Sequence, residues 1–520
     1  MEQNIQSIPK EKFNFVQRND LTHDKKLATK PRGYFADAFV RFCKNKGAVV
    51  GAIIIIILVL CSIIAPMCTP YDVKYMDSNY KSCFPDNPLF AGLPVWDGCE
   101  ERKDSKGVFM KYYAMGEETG LNAVKNQAYR IEDDLYVYRL NSVHSVGAKY
   151  ISLTMAEYAA LQAYQDANDV QVIYPMVMPS KRPQTFVGKT DANYYFETKV
   201  SSNKIQIVYD KNGNVIPVYA TYTAEEYYDD NGVPVDGYTS KMRIENKKDR
   251  ENSGTYYGYS RPTSTGVEVR VNYYQYYIYY HTMILQDEIT APNFLFGTTS
   301  DGQDIFTCLF SGARFSFLFG LSVAVVNMLV GAIYGAIAGY YGGKVDLFME
   351  RCSDILSAIP SMIVITLLRW HLDAPSAVIL FVAFFLTGWI GMASTTRMQF
   401  YRYKNQEYVL AARTLGAKDG RVIFKHIFPN ALGTLVTSCA LVIPSMIYSE
   451  TNLTYLGIIN LSDSNLTTVG TLIANGQANL TTATFISLFP SLFLALLMLS
   501  FNLFGNGLRD AFNPSLRGSE

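Results

Sequence analysis

An uninterrupted apolar run near the start of the chain constrains its fold more than any other feature. From Gly47 to Ala65 the sequence reads GAVVGAIIIIILVLCSIIA, nineteen residues without a charge. A helix of this length covers the hydrocarbon core of a bilayer, and its twelve Ile, Leu and Val residues favour insertion. Because 46 residues precede the run and no A-x-A cleavage site follows it, we interpret it as a retained span rather than a signal peptide.

Five further apolar runs predict a total of six spans, with both chain ends on one side of the membrane. They lie at about Phe315–Tyr340, Ile355–Trp370, Ala377–Thr396, Leu432–Tyr448 and Thr484–Phe504. Short cytoplasmic loops are rich in Lys and Arg. Residues 1–46 hold ten basic and five acidic residues, residues 397–430 hold seven and two, and residues 450–484 hold no basic residue. We therefore expect the termini and the 397–430 loop in the cytoplasm.

This topology divides the chain into five parts. The predicted boundaries are a cytoplasmic N-terminal segment 1–46, a first span 47–66, an extracellular inserted domain 67–312, a membrane core 313–505 and a cytoplasmic tail 506–520. The inserted domain holds 29 of the 38 tyrosines, with 23 basic and 31 acidic residues. That composition is typical of a folded domain rather than a linker.

Local patterns predict a mixed α+β fold for the inserted domain. Alternating apolar residues flank Asn212-Gly213 within Ile205–Tyr219, which indicates a β-hairpin. The pattern of Met155–Asn168 is helical, and that of Val267–Tyr280 is typical of a strand. The tyrosines could bind a peptide or a partner protein, but we favour their filling of strand faces in a stabilising cap.

The cysteines do not form a disulfide scaffold. There are eight in 520 residues, and most lie in or beside apolar runs, as small core residues do. Cys83 and Cys99 both fall in the inserted domain. They could form a disulfide if that domain is extracellular, with Cys68 as the alternative partner.

Composition and motifs exclude several classes of function. With 46 basic and 46 acidic residues and 18% charged residues overall, the chain is neither a disordered tail nor a basic nucleic-acid binder. The nearest approach to a phosphate-binding loop, Gly342-Gly343-Lys344, is followed by Val345 and lacks the first glycine of the motif. No H-E-x-x-H or paired C-x-x-C occurs. We expect no metal site and no ATP hydrolysis by this chain alone.

The most informative cytoplasmic stretch is Glu407–Asn430, EYVLAARTLGAKDGRVIFKHIFPN. Glu407, Ala411 and Leu415 fall on one helical face, and Gly416 is placed to end that helix. Asp419 is placed to cap the next helix. The spacing therefore predicts two short helices joined by a glycine turn, with a surface of small residues that a partner could contact.

This stretch resembles the EAA loop of binding-protein-dependent ABC importer permeases, and its surroundings resemble the C-type permease of oligopeptide and dipeptide transporters. Phe296–Phe315 (FGTTSDGQDIFTCLFSGARF) is similar to the family's F-G-T-D-x-x-G-R-D segment. Asp354 and Pro360 match the start of the third span. Ile447–Gly457 (IYSETNLTYLG) and Phe501–Pro514 (FNLFGNGLRDAFNP) resemble two further family segments. The resemblance covers 1–66 loosely and 292–520 strongly.

The resemblance implies an all-α membrane protein with the six transmembrane helices of the type I, MetI-like permease fold, here carrying the inserted α+β domain. It implies four kinds of partner: a second permease subunit, two ATPase subunits that use ATP and magnesium, an extracellular substrate-binding lipoprotein and membrane lipid. The permease itself would bind no cofactor and no nucleic acid. The residues that match the ATPase-coupling region are Glu407, Tyr408, Ala411, Ala412, Arg413 and Gly416, with His426, Pro429 and Asn430 closing the motif.

Three positions depart from the family pattern. Leu410 stands where many members have the second Glu of the loop, Gln303 stands where Arg is usual, and Val469 replaces a common Trp. The first departure removes one charged contact to an ATPase. The inserted domain is the largest departure, so its role cannot be inherited from the family.

We expect a permease subunit that translocates oligopeptides through the plasma membrane. Two alternatives stand beside it. One is the same machine for another solute, such as a nickel chelate or a glycoside. The other is a receptor whose external domain senses a ligand, against which the EAA loop argues, because a receptor does not need an ATPase-docking helix. The residues that line the substrate path are not predicted.

Overall fold

The computed structural model describes residues 34–87, 96–177, 191–202, 204–242, 255–287, 289–461 and 466–512. The described part of the chain begins with two helices, α1 (Tyr34–Lys44) and α2 (Lys46–Cys68). An Asp37–Arg41 ion pair supports α1 across one turn. The Asn45 side chain caps α2 by accepting a hydrogen bond from the Ala48 amide. The predicted first span is thus a single helix, which Pro66 does not end.

The segment between the first two spans folds into small antiparallel sheets and short helices, as the predicted α+β domain requires. Its helices are α3 (Lys106–Thr119), α4 (Met155–Asn168), α5 (Ala224–Tyr227) and α6 (Tyr273–Tyr279). Its strands are β1 (Cys99–Asp104), β2 (Val124–Glu132), β3 (Leu135–Asn141), β4 (Ala148–Leu153), β5 (Ile173–Tyr174), β6 (Thr198–Ser201), β7 (Lys204–Ile207), β8 (Thr221–Thr223), β9 (Thr255–Tyr257), β10 (Ser260–Pro262) and β11 (Val267–Asn272).

Strand β11 organises the larger sheet, in which it pairs with β10, β4 and β5, while β1, β3 and β2 form a second sheet in that order. The predicted strand Val267–Tyr280 is therefore wrong in its second half. The Asn272 side chain accepts a hydrogen bond from the Tyr274 amide and starts α6. A local cap overrides the alternating pattern at this point.

The predicted turn at Asn212-Gly213 is confirmed. Tyr209 and Val215 form an antiparallel bridge, and Gly213 has a φ of +83°. The pairing of the flanking residues differs from the predicted hairpin, because β7, which lies before the turn, pairs with β6. The predicted helix Met155–Asn168 has the predicted bounds.

Tyrosines fill the core of the inserted domain, in agreement with the interpretation that they have a structural role there. Its main cluster of buried residues includes Tyr158, Tyr194, Tyr195, Tyr219, Tyr238, Tyr257, Tyr259 and Tyr279. At its centre the Arg270 guanidinium donates two 2.6 Å hydrogen bonds to Glu118, and both side chains are buried. Such a pair is stable in the interior because each charge has its partner.

The membrane core follows with α7 (Ile305–Tyr341), α8 (Gly343–Ser357), α9 (Ser361–His371), α10 (Ser376–Tyr403), α11 (Glu407–Thr414), α12 (Asp419–Arg421), α13 (Phe428–Tyr455), α14 (Val469–Gln477) and α15 (Phe485–Phe512). Among the residues that the structure describes, five helical segments are long and apolar enough to cross a membrane: α2, α7, α10, Asp419–Tyr455 and α15. The predicted third span is not one straight helix. It consists of α8 and α9, bent by 72° where Pro360 interrupts the helical hydrogen bonds.

Helices α7 and α10 pack closely along the glycines of α7. A Cβ atom at Gly335 would lie 2.2 Å from the Ala393 carbonyl oxygen, and one at Gly331 would lie 2.6 Å from that of Trp389. Only glycine allows this approach of the two backbones. Asn327, between α7 and α10, donates to the Phe384 carbonyl at 3.4 Å and so bridges the helices.

The first and last helices of the described chain, α1 and α15, meet at one end of the helical bundle. Phe35 and Phe42 of α1 pack against Phe512 and Phe504 of α15. At the other end of the bundle, the Thr69 hydroxyl lies 3.0 Å from that of Thr307, where the chain leaves α2 and enters α7. The inserted domain therefore begins and ends at adjacent points.

The inserted domain also rests on α15. The ring of Phe84 lies 5.0 Å from that of Phe485, and Trp96 lies 5.8 Å from Phe489. Phe296, just before α7, stacks on Phe489 at 4.3 Å. These aromatic contacts fix the base of the domain to the membrane core.

Candidate functional site

The EAA loop connects α10 to α13 through two short helices, as predicted. Helix α11 ends at Thr414 with Leu415 as its C-cap, and Gly416 adopts a left-handed conformation with a φ of +82°. Its amide donates to the Arg413 carbonyl at 2.9 Å, and the Ala417 amide donates to that of Ala412 at 3.0 Å. This is the turn that glycine at a helix end favours.

The second helix does not stand alone. Helix α12 continues through a π-helical stretch, Val422–Ile427, directly into α13. The loop and α13 are therefore joined by continuous helical backbone. The prediction that Asp419 caps this helix is wrong: Lys418 holds the cap position and Asp419 is the first helical residue.

An apolar cluster holds the loop against the ends of two spans. Val409, Val422 and Ile427 are fully buried beneath the loop. They pack with Phe400 of α10 and Tyr340 of α7. Burying three aliphatic side chains stabilises the contact by roughly 5 to 9 kcal/mol relative to full exposure. The loop is thus packed against the membrane core.

Polar contacts reinforce this cluster on one side. The Tyr340 hydroxyl donates a 2.6 Å hydrogen bond to the Asp419 carboxylate. The Arg413 guanidinium lies over the Tyr340 ring, 4.9 Å from its centroid. One tyrosine of α7 therefore contacts both short helices. Sequence reasoning missed Tyr340 because nothing in its local sequence pattern indicates a contact with residues about eighty positions later.

The remaining surface of the loop faces outward. Of the predicted coupling residues, Glu407, Tyr408, Ala411, Arg413, Gly416 and Pro429 are exposed, and Ala412 and His426 are half-buried. The structure joins the two ends of the motif, since Asn430 donates to the Tyr408 hydroxyl at 3.3 Å and to the His426 carbonyl at 2.9 Å. Burial raises the pKa of the Tyr408 hydroxyl.

Two large apolar side chains stand out on this surface. Leu415, at the tip of the turn, is 88% exposed, and Phe424 is 67% exposed. Leu410, the departure from the family's glutamate, is also exposed. Large exposed apolar patches mark protein interaction sites, so these side chains make the loop a candidate docking surface.

An ion-pair cluster links the helix before the loop to the bent pair. Arg397 of α10 forms hydrogen bonds of 2.5 and 2.7 Å with Asp346 and of 3.0 Å with Glu350, both on α8. The Tyr401 hydroxyl donates to Asp346 at 2.6 Å. Because the guanidinium engages two carboxylates at once, α8 and α10 are held in one orientation.

The family-like segment at Ile447–Gly457 contains a fully buried acid. Glu450 of α13 accepts hydrogen bonds from Ser316 of α7 at 3.3 Å and Thr454 at 3.4 Å. It lies just beyond the predicted span Leu432–Tyr448 but inside the apolar helical segment Asp419–Tyr455, where buried acids need hydroxyl or amide partners. Glu450 therefore fixes α13 to α7.

The predicted disulfide is absent from the structure, in which Cys83 and Cys99 are both free and buried. Each thiol has its own partner: Cys83 contacts the Ser142 carbonyl at 3.9 Å, and Cys99 that of Asp97 at 3.2 Å. Burial raises the pKa of Cys83 to about 12 and that of Cys99 to about 11. Cys68, the alternative partner, is exposed and free.

The structure thus combines several apolar helices long enough to span a membrane, a bent helix pair and a helical loop packed at one end of the bundle. The family model described as binding-protein-dependent transport system inner membrane component matches residues 331–518. The model for the N-terminal TM domain of oligopeptide transport permease C matches residues 33–87. The chain belongs to the family of binding-protein-dependent transport system inner membrane components. It is a membrane-spanning permease subunit of an ABC importer.

Curated relatives support the same assignment. The oligopeptide transport system permease protein OppC of Bacillus subtilis is 41% identical over 46% of this chain and 78% of its own length. The dipeptide transport system permease protein DppC of the same organism is 38% identical over 43% of this chain and 69% of its own length. OppC of Haemophilus influenzae is 36% identical over 43% of this chain and 70% of its own length.

Among solved structures, an inward-facing form of the MetNI methionine ABC transporter aligns with 40% of this chain and 96% of that chain, at 15% identity and a TM-score of 0.32. Residues 88–330 lie outside both family models. They include most of the inserted domain.

Proposed function

We propose that this permease translocates oligopeptides, with a second permease subunit, two ATPase subunits and a substrate-binding lipoprotein as its partners. The similarity to oligopeptide and dipeptide permeases supports the choice of substrate. ATP and magnesium act at the partner ATPases, and this chain hydrolyses no ATP itself. The termini and the EAA loop lie in the cytoplasm, and the inserted domain lies outside the cell.

The exposed turn at Leu415 and Gly416 is the observation that carries the coupling role. A rigid helix pair with an apolar tip fits a groove on an ATPase. When the ATPases close on ATP, the loop moves with them. Since the loop continues into α13 and contacts α7 through Tyr340, both spans follow. This is mechanical coupling through a two-state interface.

The proposed orientation agrees with the charge distribution. Basic residues exceed acidic ones on the side that holds the termini and the EAA loop. The Thr69–Thr307 contact lies at the opposite end of the spans, so the inserted domain starts from the outer surface. There it stands where a binding protein would dock.

Purification from mild detergent, with partners identified by mass spectrometry, tests the assembly. We expect a second permease, two ATPases and a lipoprotein to co-purify. ATP-dependent uptake of labelled tri-alanine by the reconstituted complex then tests the substrate. Uptake of a nickel chelate or a glycoside instead of the peptide would refute the proposed substrate, and a chain that purifies without ATPases would support the receptor alternative.

A further inference from the structure

Helix α13 carries a polar face on the outside of the chain. Six exposed or half-buried residues form it, and we call them the polar face: Thr434, Ser438, Ser445, Tyr448, Ser449 and Asn452. At 3.6 residues per turn they fall within an arc of about 100°, which also includes the half-buried Leu441, packed near Gly505 of α15. They extend over nearly five turns of the helix, which is most of the thickness of a bilayer core.

The outer faces of other spans differ in chemistry. The exposed large residues of α2 include Ile53, Ile57 and Leu60, and those of α15 include Leu492 and Leu499. Such faces suit lipid. On α13, all of whose residues the structure describes, Tyr448 is the one large side chain of this kind, and it carries a hydroxyl.

Part of the polar face has unused hydrogen-bonding capacity. The hydroxyls of Ser445 and Ser449 donate to carbonyls of their own helix. The side chains of Thr434, Ser438 and Asn452 make no hydrogen bond to any residue that the structure describes. Polar groups turned toward hydrocarbon cost free energy, so this face adjoins water, substrate or another protein rather than lipid.

The polar face is also uncharged. Glu450 is the one charged residue in the sequence of α13, and it is buried on another side of the helix against Ser316. Hydroxyl and amide groups both donate and accept hydrogen bonds. Every residue of a peptide offers a C=O group, and every residue except proline also offers an N–H group. This surface therefore matches a peptide main chain without selecting the charge of its side chains.

We propose that the polar face of α13 lines the translocation pathway and forms hydrogen bonds with the main chain of a passing peptide. This inference rests on the proposed function and adds to it the residues that the substrate contacts. The polar face borders the aqueous pathway, while the opposite side of α13 packs against α7 through Glu450 and Ser316.

Cysteine labelling in the assembled complex tests this assignment. Ser438→Cys and Asn452→Cys are made in a chain whose eight natural cysteines are replaced, with Leu492→Cys on α15 as the matched exposed control. The probe is a membrane-impermeant, positively charged methanethiosulfonate reagent. We expect both positions on the polar face to react at least about tenfold faster than the control, since thiolates form in water and not in lipid, and tri-alanine to slow that reaction.

Equal, slow reaction at all three positions would overturn the assignment. Fast reaction in a complex that does not transport tri-alanine would support an aqueous pathway and refute the peptide substrate, which separates the two proposals.

Leucine substitutions in the natural chain provide a second test that does not need the cysteine-free background. Ser438→Leu should lower peptide uptake while the complex still assembles with its ATPases. Loss of the second permease from the Ser438→Leu complex would show that the polar face is a subunit interface, and unchanged uptake would show that it contacts lipid. Either result would refute a pathway role.

Discussion

The Tyr340 hydroxyl at the end of the second span donates a 2.6 Å hydrogen bond to the Asp419 carboxylate in the EAA loop. The contact crosses from a membrane-spanning helix to the proposed docking element. The Arg413 guanidinium covers the same ring. Tyr340 is therefore placed to transmit movement of the loop to α7.

Tyr340→Phe should weaken coupling without unfolding the protein. The substitution removes one hydrogen bond to a charged group, which contributes about 1.5 to 3 kcal/mol, and keeps the ring under Arg413. We expect more ATP hydrolysed per peptide transported, measured in proteoliposomes. Tyr341→Phe is the control, because that side chain is exposed and makes no hydrogen bond among the described residues. Equal coupling ratios in the two variants would contradict the role of Tyr340.

Charged side chains at Ala412 and Gly416 should abolish uptake. The double variant Ala412→Glu with Gly416→Glu places charge on the docking surface and forces a non-glycine residue to a φ of +82°, at a cost of about 1 to 2 kcal/mol. Membrane insertion should be normal and ATPase co-purification lost. Gly420→Ala is the control, since Gly420 has open space around it. Full uptake by the double variant would exclude the coupling assignment.

Gly335→Leu should separate α7 from α10. A Cβ atom there already meets the Ala393 carbonyl at 2.2 Å, so a larger side chain forces the backbones apart, at a cost of at least about 1 to 3 kcal/mol. The detergent-solubilised protein should unfold at a lower temperature. Gly391→Leu on the exposed side of α10 has nothing within 4 Å of its Cβ and should be tolerated.

The buried pair Arg270–Glu118 should matter far more than an exposed one. Arg270→Met leaves Glu118 as a buried, unpaired charge, which costs about 3 to 5 kcal/mol. Arg261→Met breaks the Arg261–Glu268 pair, whose arginine is about half exposed, and such pairs contribute roughly 0 to 1 kcal/mol. Limited proteolysis of the full chain should cut the inserted domain readily only in the first variant. Similar resistance of the two variants to the protease would indicate that the Arg270–Glu118 pair does not stabilise the inserted domain.

The buried thiols give the inserted domain a predictable response to pH. The pKa of Cys83 is about 12 and that of Cys99 about 11 in the folded state, above the ordinary value of 9.0. The folded state therefore holds its thiol protons more tightly than the unfolded state. Their contribution to stability is complete below pH 9 and declines as the pH rises through 11 and 12.

At pH 8 a maleimide should accordingly label Cys68 quickly and the two buried cysteines slowly. A disulfide between Cys83 and Cys99, detected by mass spectrometry without reduction, would contradict the free thiols of the structure.

Features fixed by neighbouring residues could be predicted from the sequence. Helix α4 starts at a capping box in which Thr154 and Glu157 satisfy each other's backbone amides, and its bounds were predicted correctly. The turn at Gly416 follows from the same local chemistry. The helix at Tyr273 was missed because the aromatic residues after Asn272 continue an alternating pattern that strands and helices can share.

Long-range features could not be predicted. The contact of Tyr340 with Asp419 and that of Arg397 with Asp346 depend on how the spans pack, and an isolated sequence does not contain that information. Pro360 interrupts helical hydrogen bonding in the third span, but a proline alone does not predict the 72° bend between α8 and α9.

The meeting of Thr69 and Thr307 makes the inserted domain modular. Because its two connections leave the bundle side by side, a chain could gain, lose or exchange such a domain during evolution without reordering its spans. An importer built in this way can acquire a new outer surface while its membrane machinery stays the same. A short linker between the two threonines would therefore be the natural starting point for engineering a reduced permease.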